Sequence, residues 1–146
     1  MTDASLPADP NEIARAAAAR MWAADTASRE LGMRLEEVRA GYARLSMVVD
    51  RRMVQGHGSA HGGYLFTLAD SAFAFACNSY GLVTVAAHCD ISFLRPVQVD
   101  DELVAEAVER DRYGRNGIYD VTVRRTRDDV VVAEFRGRSR TLAPRA

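Results

Sequence analysis

Apolar and polar positions along the chain change period twice, and each change marks a different kind of element. Residues 1–10 hold two prolines among small polar side chains and read as a flexible tail. NEIARAAAARMWAADTASRELG, from Asn11, is rich in good helix formers, with Asn11 a candidate cap and Gly32 a candidate stop, and predicts a first helix. Residues 33–49 read as two strands joined around Ala40 and Gly41, with Tyr42 to Val49 alternating as a half-buried strand does, which predicts a hairpin. A glycine-rich loop, Gln55 to Gly58, leads to His61, Gly62 and Gly63, and YLFTLADSAFAFACNSY follows almost without polar interruption. This is a second helix, apolar on nearly every face. Beyond Gly81 the period drops to two: VTVAAHCDISF, ELVAEAVERD, GIYDVTVRRT and VVVAEFRGRSRTL each read as a strand. Pro96, Tyr113 to Gly117, and Asp128 with Asp129 separate them.

A helix that is hydrophobic all round must be covered by other elements, and here the sheet is the available cover. An antiparallel sheet of about six strands curled around one central apolar helix, with an additional N-terminal helix, is the α+β architecture called the hotdog fold. The 146 residues, 48% of them apolar, suit one sizeable core, so a single domain is expected over residues 11–146.

Nineteen basic residues nearly cancel twenty acidic ones, which removes the electrostatic footprint of a nucleic-acid binder or a membrane-surface protein. Every basic residue is arginine, a bias to which no mechanism is attached. The first thirty residues carry Asp3, Asp9 and Glu12 and lack a basic start followed by an apolar run, so no secretory signal is expected. Cys77 and Cys89 have neither metal-ligand nor disulfide spacing, and no stretch approaches a membrane span. These observations predict a cytoplasmic protein without metal or cofactor.

Asp70 is the one charged residue between His61 and Tyr80, in the middle of the apolar helix. A buried carboxylate without a partner costs several kcal/mol, so it is kept for a structural hydrogen bond or for catalysis as a base or nucleophile. Gly62 and Gly63 either serve a tight turn or offer helix-start N–H groups that can hold an oxyanion. His61 reads as a cap or positioning group, or as an acid or substrate donor, while His57 reads as exposed and His88 as structural. Phe66, Phe73, Phe75 and Met21 have core spacing, and Tyr64 stands beside the glycines. Arg95, Arg136, Arg138 and Arg140 are candidate contacts for the phosphates of a nucleotide-bearing ligand.

QGHGSAHGGYLFTLADSAFAFACNS at 55–79, CDISFLRP at 89–96 and AEFRGRSR at 133–140 together resemble the thioesterases of phenylacetic acid degradation. The resemblance implies a hotdog acyl-CoA thioesterase acting on phenylacetyl-CoA and ring-hydroxylated phenylacetyl-CoA, assembled as a dimer of dimers. It assigns His61, Gly62, Gly63 and Asp70 to the active site. The family commonly has Asn where this chain has Gln55, whose longer amide reaches the attacking water or the thioester differently. Gln55 and Tyr64 are therefore the substrate-binding candidates.

Two other functions compete: a hotdog enoyl-CoA hydratase, disfavoured by the spacing of the HGG motif and Asp70, and a non-catalytic acyl-CoA-binding protein, disfavoured by the lack of room for a DNA-binding segment. Gly62 and Gly63 lie eight and seven residues before Asp70, hence roughly 10–12 Å away along one helix. One thioester carbonyl must lie within about 3 Å of both groups, so the site is expected to combine the glycines of one chain with Asp70 of another in a homodimer.

Overall fold

Asp9, slightly earlier than expected, starts the first helix: its carboxylate accepts the Asn11 N–H at 2.9 Å, and Pro10 occupies the first helical position. Asn11 has a different task, accepting the Ala40 N–H at 3.1 Å and so tying the helix to the first hairpin. The computed structural model describes residues 8–143, and the part of the expected tail over residues 1–7 lies outside them. The helix also does not run unbroken to Gly32. It divides into α1 (Pro10–Ala24) and α2 (Thr26–Glu30) at Asp25, whose carboxylate accepts both the Ser28 N–H (2.9 Å) and the Ser28 hydroxyl (2.7 Å). Asp25 is thus an internal N-cap within an otherwise favourable helical run.

Strands β1 (Arg34–Arg39) and β2 (Tyr42–Val48) form the expected hairpin. Gly41 makes the turn with a φ of 71°, and its N–H donates to Ser79 Oγ at 2.8 Å. β2 is more buried than an alternating strand would be. Ala43, Leu45 and Met47 occupy one face, while on the other Tyr42 lies under the Arg39 guanidinium and donates to Glu106, and Ser46 is held by Glu36 and Arg34.

Helix α3 (Gly62–Cys77) is followed by β3 (Thr84–Phe93), β4 (Glu102–Tyr113), β5 (Asn116–Arg125) and β6 (Val130–Thr141). All neighbours pair antiparallel in the order β1-β2-β4-β5-β6-β3, so β3 crosses from the end of α3 to the far edge of the sheet. Bulges in β1, β3, β4 and β6 add the local bend and twist that let the sheet curl. Every strand contacts α3. Its residues Leu65, Leu68, Ala69, Ala72, Phe73, Phe75 and Ala76 form the centre of the core, with Phe73 packed against Tyr119 and Phe135. This is the expected hotdog arrangement of a curled sheet around a central helix.

Candidate active site

The start of α3 is pinned before the helix begins. A short 3-10 turn, Arg51–Met53, brings buried Met53 to accept the His61 N–H at 2.6 Å, and the Ala60 N–H donates to the Val97 carbonyl at 2.7 Å. His61 then caps the helix, its Nδ1 accepting the Gly63 N–H at a long 3.5 Å. The Gly62 N–H has no partner among the described residues. The two glycines therefore present one free and one weakly held donor at the positive end of a helix.

Gly63, Thr67, Asp70 and Ala74 recur at spacings of four, three and four and so share one face of α3. The sheet leaves this stripe uncovered: Gly63 is exposed and the other three are half-buried. The wrapping inferred from an all-apolar helix is therefore incomplete within one chain. Asp70 makes no hydrogen bond or ion pair among the described residues, and burial raises its carboxyl above the ordinary range. Its charge also reaches across to β3. Burial pushes the Cys89 thiol up to about 11 and the Cys77 thiol up to about 12, and the Asp70 carboxylate acts in the same direction on both. Both cysteines are free.

Two supports of this stripe were not legible in the sequence. Thr67 Oγ1 donates to the Gly63 carbonyl at 2.9 Å, and Ser71, next to Asp70, shares a 2.8 Å hydrogen bond with Ser28, the residue capped by Asp25. Hydroxyl pairs of this kind leave no pattern at a distance of 43 residues.

Gln55 is turned into its own loop, where its amide nitrogen donates to Ser59 Oγ at 2.6 Å and its amide oxygen accepts the His57 N–H. The amide thus shapes the approach to His61 and is engaged at both ends. Tyr64 is half-buried against the core, and its hydroxyl has no hydrogen-bond partner among the described residues. His57 is exposed, as expected. His88, expected to be structural, is exposed on β3 with Nε2 3.9 Å from Asp90.

The structure separates the four candidate arginines. Arg136 is held by Asp120 through contacts of 2.6 and 2.9 Å. Arg138 and Arg140 alternate with buried Ser139 and so point away from α3. Arg95, just beyond β3, lines a groove of about 480 Å³ that runs along Gly62, Leu65, Phe93, Leu94 and Val97. Phe93 was not singled out in the sequence. A Cβ on Gly62 would fall 2.8 Å from its ring, so the ring occupies the space that a side chain would take. Asp70 does not line this groove.

Among the described residues, no group of three His, Cys, Asp or Glu side chains could hold a metal ion, and no helix is long and apolar enough to cross a membrane.

The profile of the Thioesterase superfamily matches residues 57–132. The acyl-coenzyme A thioesterase PaaI of Escherichia coli (strain K12) is 42% identical over 122 residues, covering 84% of this chain and 86% of that protein. The solved structure of E. coli PaaI, from the phenylacetic acid degradation operon, aligns with a TM-score of 0.90 at 39% identity over 92% of this chain and 97% of that one. A mutant of the phenylacetic acid degradation protein PaaI from Thermus thermophilus aligns with a TM-score of 0.77 at 35% identity, over 81% of this chain and 100% of that one.

Proposed function

The chain belongs to the thioesterase superfamily as an acyl-CoA thioesterase of the PaaI type, and from that premise we propose that it hydrolyses phenylacetyl-CoA and ring-hydroxylated phenylacetyl-CoA in a site built from two copies of the chain. The observation that carries the reading is the uncovered stripe of α3, with helix-start N–H groups at one end and, in the middle, a half-buried carboxylate that meets no cation among the described residues.

The thioester carbonyl oxygen accepts from the Gly62 N–H and from the Gly63 N–H, displacing the long contact to His61, which remains the group that orients the turn. Each such donor contributes roughly 3 kcal/mol in water-poor sites, because it meets charge that develops only in the transition state. Asp70 takes a proton from the water that adds to the carbonyl carbon, or adds to that carbon itself to form an anhydride that water then opens. In both routes the C–S bond breaks, coenzyme A leaves as the thiol and the acid is released. Burial suits Asp70 to either task by raising its basicity. Gln55 acts through the loop it closes, and Tyr64 stands at the mouth of the helix start.

The same-chain glycines are roughly 10–12 Å from Asp70 along α3, too far for one carbonyl to meet both. Two antiparallel α3 helices related by a two-fold axis bring the glycines of one chain to Asp70 of the other and cover both stripes. The free edge of β3, on which Val85 is 42% exposed, offers the continuous contact such a dimer needs. Two dimers pair into a tetramer. The reaction is assigned to the cytoplasm, where Cys77 and Cys89 remain unpaired.

A thiol-release assay over acetyl, palmitoyl, phenylacetyl and hydroxyphenylacetyl thioesters tests the reading. The aromatic thioesters should give the highest kcat/KM, and Asp70→Asn should lower turnover at least about a hundredfold with binding retained. A palmitoyl or acetyl optimum would reject the acyl assignment. Turnover like the wild type's in folded Asp70→Asn would reject Asp70.

A further inference from the structure

We propose that the cavity between the end of α3 and the β4–β5 turn binds a small oxyanion, an inorganic one or a short carboxylate, through Arg112, Arg115 and the Ser139 hydroxyl. The proposal stands apart from the thioesterase reading, because this cavity lies at the opposite end of α3 from Gly62 and Gly63 and does not include Asp70.

The cavity has a volume of about 100 Å³, several times the roughly 10–15 Å³ that a single water molecule needs. The tight turn Gly114–Arg115 forms part of its rim. Gly114 has a φ of 59°, and the Arg115 carbonyl accepts the Thr141 N–H at 2.7 Å, which ties the turn to the end of β6. Ser139 of β6 forms part of the wall, is 4% exposed, and its hydroxyl makes no hydrogen bond among the described residues. The hydroxyl stands over Gly117, where a Cβ would fall 2.7 Å from Oγ, so glycine keeps it open to the cavity. A buried hydroxyl without a partner is costly, and a ligand that accepts from it removes the cost.

Charge decides the class of ligand. Arg112 and Arg115 line the cavity and no acidic residue does. Arg115 forms no ion pair among the described residues, and its side chain is exposed at the turn. Arg112 lies 3.6 Å above the Tyr80 ring, and its ion-pair partner Glu109 is 3.8 Å away. That same Glu109 oxygen already accepts the Tyr80 hydroxyl at 2.9 Å and the Tyr119 hydroxyl at 3.0 Å, so it neutralises Arg112 weakly. The end of α3 does not call for a cation, because the Asn78 amide donates to the Ala74 and Thr84 carbonyls at 2.9 Å each. Two guanidinium groups and a buried hydroxyl donor, without an opposing carboxylate in the wall, select an oxyanion. Its binding would tie the β4–β5 turn to β6 and to the end of α3.

Calorimetric titration and thermal melts of the whole protein, with sodium phosphate, sulfate or acetate replacing chloride at constant ionic strength, test the site. Phosphate at ten times its Kd should raise the melting temperature by about 3–6 °C. Arg115→Gln and Ser139→Ala should each weaken phosphate binding at least about tenfold, while Arg138→Gln, on the outer face, should bind it as the wild type does. Without added oxyanion, Ser139→Ala should melt at or above the wild type, because it removes a hydroxyl that has no partner. Both variants should keep kcat and KM for phenylacetyl-CoA. Acetate as effective as phosphate makes a carboxylate the ligand, and a response to phosphate and sulfate alone makes it a tetrahedral oxyanion; either result upholds the site. No gain over chloride, or an undiminished phosphate response in either variant, overturns it. A Ser139→Ala protein that melts below the wild type without oxyanion also overturns it, since the hydroxyl then has a structural task. A KM for phenylacetyl-CoA that rises in step with the loss of phosphate binding would put the substrate's own phosphate there and overturn a separate site. A wild-type protein that releases no thiol would reject the hydrolase reading, and the titration would still decide the cavity.

Discussion

Burial raises the Asp70 carboxyl, and no cation answers it among the described residues, so the folded protein holds this proton more tightly than the unfolded chain does. A folded-state value above the unfolded one, which is about 3.9, means that the stability Asp70 contributes is fully present below that pH and is lost as pH rises through the folded value. Asp70→Asn keeps the shape and removes the ionisation. The variant should therefore melt higher than the wild type at neutral pH, and the gap should close as pH falls toward about 3. Calorimetry across that range checks it. A wild type that gains on the variant as pH rises would mean that the carboxylate has a partner it needs, which is incompatible with a free catalytic base. The same sign applies to activity: turnover requires the carboxylate and should rise with pH through the raised folded value.

Two glycines show how one substitution separates a packed element from an open one. Gly137 on β6 lies beneath Phe73 of α3, and a Cβ there would fall 2.7 Å from three atoms of its ring. Phe73 is 1% exposed and enclosed by Tyr119 and Phe135, so it has nowhere to move. Gly137→Ala should cost about 1–3 kcal/mol of stability, as overpacking does. Gly62→Ala makes a similar clash at 2.8 Å, but with Phe93, whose ring can swing into solvent. It should leave the melting temperature nearly unchanged and disturb substrate binding instead. Thermal melts of the two variants with KM for phenylacetyl-CoA make the comparison, and equal stability losses would show that Phe93 is as confined as Phe73.

In the assembly, the shared site can be tested by complementation. Asp70→Asn and Gly63→Pro, the second lacking the N–H, each inactivate both sites of a homodimer. A mixed dimer holds one intact site and one doubly damaged site and should recover up to about half the wild-type activity. Co-expression with separately tagged chains isolates it. Inactive mixed dimers, beside wild-type chains that survive the same handling, would place each site within one chain.

The elements were legible because their signals are local: periods of two and 3.6, glycine at Gly41 and Gly32, and a carboxylate isolated in an apolar run at Asp70. The hairpin, α3 and the last four strands stand where the pattern puts them, and HGG with LAD named the family. The helix break at Asp25 was also written locally, in the spacing of Asp25 and Ser28, but good helix formers on both sides masked it. Other features depend on which surfaces meet. Strand order placed β3 at the sheet edge, curvature left one stripe of α3 bare, Phe93 came to lie against Gly62, and of the four candidate arginines only Arg95 lines the groove beside it. No periodicity records such choices. They follow from contacts between residues far apart in the chain, and the bare stripe and edge follow from surface that this fold does not bury alone.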